Sequence, residues 1–121
     1  MQKFTHTPRP TYSLWGQVDQ AEEIMAGVWQ VSTPSHGGII LSAQRLEFVP
    51  RAYLDASFGR NGWQGNFEED CDMAIPLCVF EYEYRQYLAA KGVTEEKINE
   101  NMILAHQTLN DWILPKHVGS N

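Results

Sequence analysis

The sequence predicts an α+β fold: a small N-terminal antiparallel sheet packed by a C-terminal antiparallel pair of helices. Residues 12–42 lack helical periodicity and hold short β-branched and aromatic runs. Met73, Leu77, Phe80, Tyr84 and Tyr87 form one apolar stripe at helical spacing, and Ile98, Met102, Ala105, Leu109 and Trp112 form another. A short connector around Gly92 joins the two stripes, as in an antiparallel helix hairpin.

The elements follow in chain order. Residues 1–11 read as a flexible lead-in, 12–115 as a single α+β domain and 116–121 as a tail. Val28-Trp29-Gln30-Val31 alternates as a strand does, and Ala26-Gly27 before it is a turn. Ala21–Met25 reads as a preceding strand, although Glu22 and Glu23 fit a helical turn equally well. Thr33-Pro34-Ser35-His36-Gly37-Gly38 is the densest turn signal, and the loop Pro34–Gly38 should be exposed at one end of the sheet. Ile39-Ile40-Leu41 reads as a short buried strand.

Ser42 is an N-cap for a helix Ala43–Phe48, which Val49-Pro50 stops. Arg51–Ser57 fits another helical turn, and Phe58–Asn66 is a Gly- and Asn-rich loop around Trp63. A long helix then carries the first stripe. Glu68, Glu69, Asp70 and Asp72 crowd its start, where carboxylates complement the helix dipole. Pro76 conflicts with a continuous helix, because it removes one backbone hydrogen bond at about 3 kcal/mol. Either the helix kinks there, or it begins near Ile75 with Pro76 in its first turn. The last helix starts at its N-cap Thr94, with Glu95 and Glu96 in the first turn, and Pro115 ends it.

Charge is distributed unevenly. The chain has 121 residues and a formal charge of −6. Residues 1–67 balance five basic against five acidic side chains, whereas residues 68–121 set four against ten. The second half therefore carries the whole surplus. A negative total argues against direct nucleic-acid binding and against docking on an anionic membrane. No apolar run is long enough to span a bilayer, and Met1–Pro10 lacks the apolar segment of a secretory signal. Cys71 and Cys78, if on one helix, would lie roughly 10 Å apart, beyond the reach of about 7 Å for a disulfide. The expectation is two free thiols in a reducing cytoplasm.

Trp15-Gly16, Gly27-Val28, the run Val31-Ser32-Thr33-Pro34-Ser35-His36-Gly37-Gly38-Ile39, Leu41-Ser42, Val49-Pro50, Glu68-Glu69-Asp70-Cys71 and Ala74 together form a recognisable arrangement. It resembles an uncharacterised bacterial domain family carried by proteobacterial chromosomes, plasmids and phages. The resemblance covers roughly residues 12–80 and leaves out the last helix. The family is a domain of unknown function, so the resemblance implies little chemistry. Where it tends to place Gly-Trp-Tyr ahead of the acids, this chain has Gly62-Trp63 followed by Gln64-Gly65-Asn66-Phe67, with Phe67 at the tyrosine position.

Two kinds of site compete. In the motif loop Thr33, Ser35, His36, Gly37 and Gly38, the glycines would let backbone approach a ligand, with His36 as a base or metal ligand. The plainer reading is a turn whose glycines supply positive φ. His36 with Glu68 and Asp70 is the candidate metal set, and His36, Glu69 and Cys71 are the candidate catalytic groups. The plainer readings are helix-start electrostatics for the acids and a small core residue for Cys71. No P-loop, H-E-x-x-H, paired C-x-x-C or G-x-S-x-G occurs, which leaves a serine triad on Ser32 or Ser35 weaker still, and no cofactor is expected.

The other kind of site is a recognition surface. Tyr82, Tyr84, Tyr87, Trp63 and Trp112 are residues of interface type. Tyr84 and Tyr87 fall on the core stripe, whereas Tyr82 lies off it between Glu81 and Glu83. The leading expectation is a small non-enzymatic phage or plasmid protein that binds a host protein through Glu81, Tyr82, Glu83, Glu95 and Glu96. Its target would be a defence or nucleic-acid-binding protein, as for an anti-CRISPR inhibitor, with the acidic face imitating a phosphate backbone. A small enzyme or metal-dependent module is the alternative, and a homodimer built on the helix pair is a third.

Overall fold

The computed structural model describes residues 3–115, so the start of the lead-in and the tail 116–121 lie outside the described residues. The chain is mixed α and β, with two antiparallel sheets and several helices. A small hairpin comes first, β1 (Tyr12–Ser13) with β2 (Gly16–Gln17). The main sheet has the order β3 (Gln20–Met25), β4 (Val28–Ser32), β5 (Gly37–Leu41), β6 (Asn66–Glu68), antiparallel throughout.

Between β5 and β6 the chain makes an excursion. It forms α1 (Ala43–Leu46), α2 (Arg51–Ala56) and a 3₁₀ segment, Phe58–Gln64. After β6 come α3 (Ala74–Val79), α4 (Glu81–Ala90) and α5 (Glu95–Thr108), which runs on into a π-helical turn, Leu109–Ile113. One core holds Val28, Ile39 and Phe67 of the sheet against Ile75, Met102 and Ile113 of the helices.

The ambiguous segment 20–25 is a strand, and its two glutamates explain why. Glu23 Oε2 accepts from the amides of Gly27 at 2.9 Å and Thr7 at 3.0 Å, which clamps the β3–β4 turn. Glu22 reaches outward to Lys91 Nζ at 2.8 Å. Gly27, at φ +78°, supplies the left-handed turn conformation that a side chain would strain. Ser42 caps α1 as expected, accepting from the Arg45 amide at 3.2 Å.

Four sequence expectations are corrected. First, Gly37 and Gly38 belong to β5, not to an exposed loop, and neither has positive φ. Gly38 is required by close approach: an added Cβ would collide with the Phe67 carbonyl oxygen and lie 2.5 Å from the Trp15 ring. Second, Glu68 ends a strand and Glu69–Met73 form turns, so the acids do not open a helix. The left-handed Gly65, at φ 76°, returns the chain beside β5, where Phe67 pairs with Ile39.

Third, the long helix is two. Pro76 sits in the first turn of α3, and the break falls at Phe80, with φ −109° and ψ 34°. The break resets the phase, so Ala74, Ile75, Phe80 and Leu88 are buried while Met73 and Leu77 are only half-buried. Fourth, Trp112 does not continue the core stripe. The π-helical turn shifts the register by about one residue, so Ile113 is buried at 3% exposure and Trp112 stands out at 67%.

Arg45 is the largest fully buried side chain, at 0% exposure. It donates to both carboxylate oxygens of Glu83, at 2.7 and 2.8 Å, and through Nε to the Ala26 carbonyl at 2.8 Å. Its guanidinium carbon lies 3.7 Å from the Phe4 ring centroid and 4.7 Å from that of Phe80. Phe4 belongs to the segment before β1, which also donates from the Thr5 amide to Gln44 at 2.9 Å. That segment is therefore docked along the domain.

Glu83→Leu strands the buried guanidinium, and urea unfolding followed by circular dichroism should show a loss of about 3–5 kcal/mol. The double variant Arg45→Met with Glu83→Leu should lose clearly less than the sum of the two singles. Additive losses would show that the pair is not coupled. Gly38→Ala should also lower the melting temperature, because the colliding atom is backbone.

Candidate functional site

The β5–β6 pairing brings the two motif pieces together. Thr33 closes the loop ahead of β5: its amide and hydroxyl both donate to the His36 carbonyl, at 2.7 and 2.8 Å, and its Oγ1 accepts from the His36 amide at 3.0 Å. Pro34, Ser35 and His36 are left exposed. His36 Nδ1 lies 3.1 Å from Glu68 Oε1. The Glu69 amide donates to the Gly37 carbonyl at 2.9 Å, extending the pairing past the end of β6.

The four acids have separate fates. Glu68 faces His36. Asp72, 5% exposed, accepts from the Phe58 amide at 2.8 Å and ties the turn to the 3₁₀ segment. Glu69 and Asp70 are exposed and have no ion-pair partner among the described residues. Cys71 is exposed, against the expectation of a core residue, and makes no hydrogen bond to His36. Among the described residues no three His, Cys, Asp or Glu converge to hold a metal ion, so His36, Glu68 and Asp70 do not form a ligand set.

A cleft of about 490 Å³ opens beside this turn, with Phe58, Glu68, Asp70, Cys71 and Trp112 in its lining. Phe58 and Trp112 are 69% and 67% exposed, so the cleft has aromatic walls and an acidic edge. Sequence reasoning missed Phe58 and assigned Trp112 to the core as well as to a recognition surface. The π-helical turn that frees Trp112 has no signature in the sequence. The adjacent apolar pair Ile103-Leu104 falls off the buried stripe in the sequence, and both are exposed, at 58% and 63%.

The expected acidic face on α4 is largely used inside the molecule. Glu83 holds Arg45. Glu81 accepts from Arg85 Nε at 2.7 Å and lies 2.6 Å from His106 Nε2. The His106 contact holds the Glu81 carboxyl below its usual range; burial opposes this, and Arg85 adds to the lowering. Tyr82, Glu95 and Glu96 are exposed, and Tyr82 and Glu95 border a shallow groove with Val93 and Ile98. Tyr84 and Tyr87 are half-buried and stacked at 6.2 Å, and the Tyr87 hydroxyl donates to Glu22 at 3.0 Å. Trp63 donates from Nε1 to Asp55 at 2.8 Å.

The geometry defines a small α+β domain with an acidic, aromatic cleft at a strand-to-helix turn. Residues 8–116 match the family described as a domain of unknown function, DUF7007, and the chain belongs to that family. The match takes in the last helix, which the resemblance read from the sequence left out. No curated protein and no solved structure matches the chain. Among the described residues no helix is long and apolar enough to cross a membrane.

Two outcomes follow. The folded value of Glu81 lies below the ordinary 4.5, so its contribution to stability is complete above that pH and is lost as pH falls through the folded value. His106→Gln should therefore flatten the fall in melting temperature on acidification through pH 4.5, and an unchanged slope would exclude the contact as its source. Burial pushes the Cys78 thiol up to about 11, so at pH 8 only about one part in a thousand is thiolate. A disulfide reagent should label exposed Cys71 first, and Cys71→Ser should remove the fast phase.

Proposed function

We propose that this chain is a small non-enzymatic binding protein that recognises a basic surface on a partner protein. The observation that carries the reading is the cleft in which Glu68 and Asp70 meet the exposed rings of Phe58 and Trp112. Carboxylates attract Lys and Arg, and aromatic walls hold their stems and charges. Cys71 in the cleft's lining has no hydrogen-bonded histidine among the described residues.

Relative to the sequence expectation, the recognition surface moves from Glu81 and Glu83 to the cleft, with Tyr82, Glu95 and Glu96 as a secondary patch. The fold behind it reads as an N-terminal sheet covered by an antiparallel helix pair. The contacts of Glu81 with His106 and of Arg85 with Asn99 support that arrangement. The partner class is a host defence or nucleic-acid-binding protein met by a phage or plasmid product. An acidic surface of this kind competes with a phosphate backbone.

The test uses a synthetic Lys/Arg-rich peptide titrated against the full chain by tryptophan emission. Glu68→Gln with Asp70→Asn should weaken binding about tenfold, or roughly 1.4 kcal/mol, and added salt should weaken the wild type. Unchanged affinity in that variant, with a loss in Glu95→Gln/Glu96→Gln instead, would move the surface back to the helices. A second reading, a small enzyme using His36 as base, draws on the 3.1 Å approach of His36 to Glu68. His36→Ala that leaves biological activity intact in a folded protein removes it.

A further inference from the structure

A second cleft, of about 260 Å³, adjoins the first and shares Asp70 and Cys71 with it. Glu69, Tyr84 and Leu104 also line it. The two clefts lie side by side, with Asp70 and Cys71 of the turn after β6 between them and α5 with its π-helical turn along the other side. From Asn101 to Trp112 the two follow this flank of α5 for about 16 Å, or three helical turns.

The flank has a shape of its own. Leu104 and Thr108, one turn apart in α5, line the second cleft, and Trp112, carried past the π-helical turn, lines the first beside the same Asp70 and Cys71, so a small residue stands between two large ones along this flank. Leu104 and Trp112 are exposed at 63% and 67%. Trp112 reaches this flank only because the π-helical turn removes it from the core stripe. Such turns inside helices recur at functional sites. Along the opposite edge lie Glu69 and Asp70, both exposed and without an ion-pair partner among the described residues. By contrast, Glu22, Glu23, Glu81 and Glu83 are each paired.

Resting on the binding-protein reading above, we infer that the two clefts together take a basic amphipathic helix of the partner. Its apolar face lies on the row Leu104, Thr108 and Trp112, and its Lys or Arg side chains meet Glu69 and Asp70. Charge complementarity selects the sign of the occupant. A row of side chains along one helix flank selects a helix, because such a row packs against the side chains of another helix. A second copy of this chain would bring acid against acid along the same edge and is disfavoured.

The experiment uses the full chain and two labelled peptides of about five helical turns and identical Lys/Leu composition. One has helical periodicity and the other is scrambled so that no face is apolar. Fluorescence anisotropy should show the periodic peptide binding about tenfold tighter. Leu104→Glu and Glu69→Gln/Asp70→Asn should each weaken it about fivefold or more. Leu104 and both acids are exposed, so circular dichroism should show these variants folded.

Equal binding of both peptides overturns the helical mode and leaves the binding-protein reading standing. Binding of neither overturns both. Unchanged affinity in Leu104→Glu overturns the row as the contact. A dimer of the free chain that Leu104→Glu dissociates assigns the clefts to a second copy and overturns the inference.

Discussion

The fold turns on one buried cation. Arg45, fully enclosed, joins the carboxylate of Glu83 on α4, the carbonyl of Ala26 in the β3–β4 turn, and the rings of Phe4 and Phe80. A guanidinium so far from water is tolerated only when its charge and donors are matched, and here its surroundings come from three separate stretches of chain, at Phe4, Ala26 and Phe80–Glu83. The break between α3 and α4 at Phe80 brings that ring and Glu83 to the arginine together. The docking of the segment before β1 follows from the same site, because Phe4 covers the open face of the guanidinium.

This constraint redistributes the molecule's charge. The surplus in the second half of the sequence looked like an exposed acidic face on the helices. Glu83 is committed to Arg45, Glu81 to His106 and Arg85, and Glu22, from the first half, to Lys91 and Tyr87. What remains open to a partner is concentrated at the turn after β6 and at the start of α5. Glu69, Asp70, Glu95 and Glu96 are exposed there without an ion-pair partner among the described residues.

A second constraint builds that surface. Gly38 has no side chain because Trp15 and the Phe67 backbone occupy the space, and this approach lets β6 pair with β5. Once β6 is in place, Glu68 meets His36, Asp72 binds the start of the 3₁₀ segment, and Glu69, whose carboxylate lies beside Gly37, and Asp70 remain exposed. The π-helical turn then supplies Trp112 from the other side. The cleft is a product of strand pairing and helix register: its acidic edge comes from the continuous run 68–72, and its aromatic walls, Phe58 and Trp112, come from two distant segments.

Local chemistry made much of the chain legible in sequence. Alternation marked Val28–Val31 within the strand Val28–Ser32, Ser42 and Thr94 announced their helices through side-chain caps, and Gly27 marked its turn. These features rest on interactions within four or five residues, so the sequence alone determined them, together with the mixed α and β class, the four acidic residues at 68–72 and the uneven charge. The tertiary structure alone decided the rest. Asn66–Glu68 is a strand because Gly38–Ile40 offers it an edge, and Arg45 is buried because Glu83, 38 residues away, neutralises it. Trp112 faces outward because packing admits Ile113 in its place. Each of these depends on what a distant segment supplies, a partner edge, a counter-charge or a volume to fill, and no local pattern of residues encodes that.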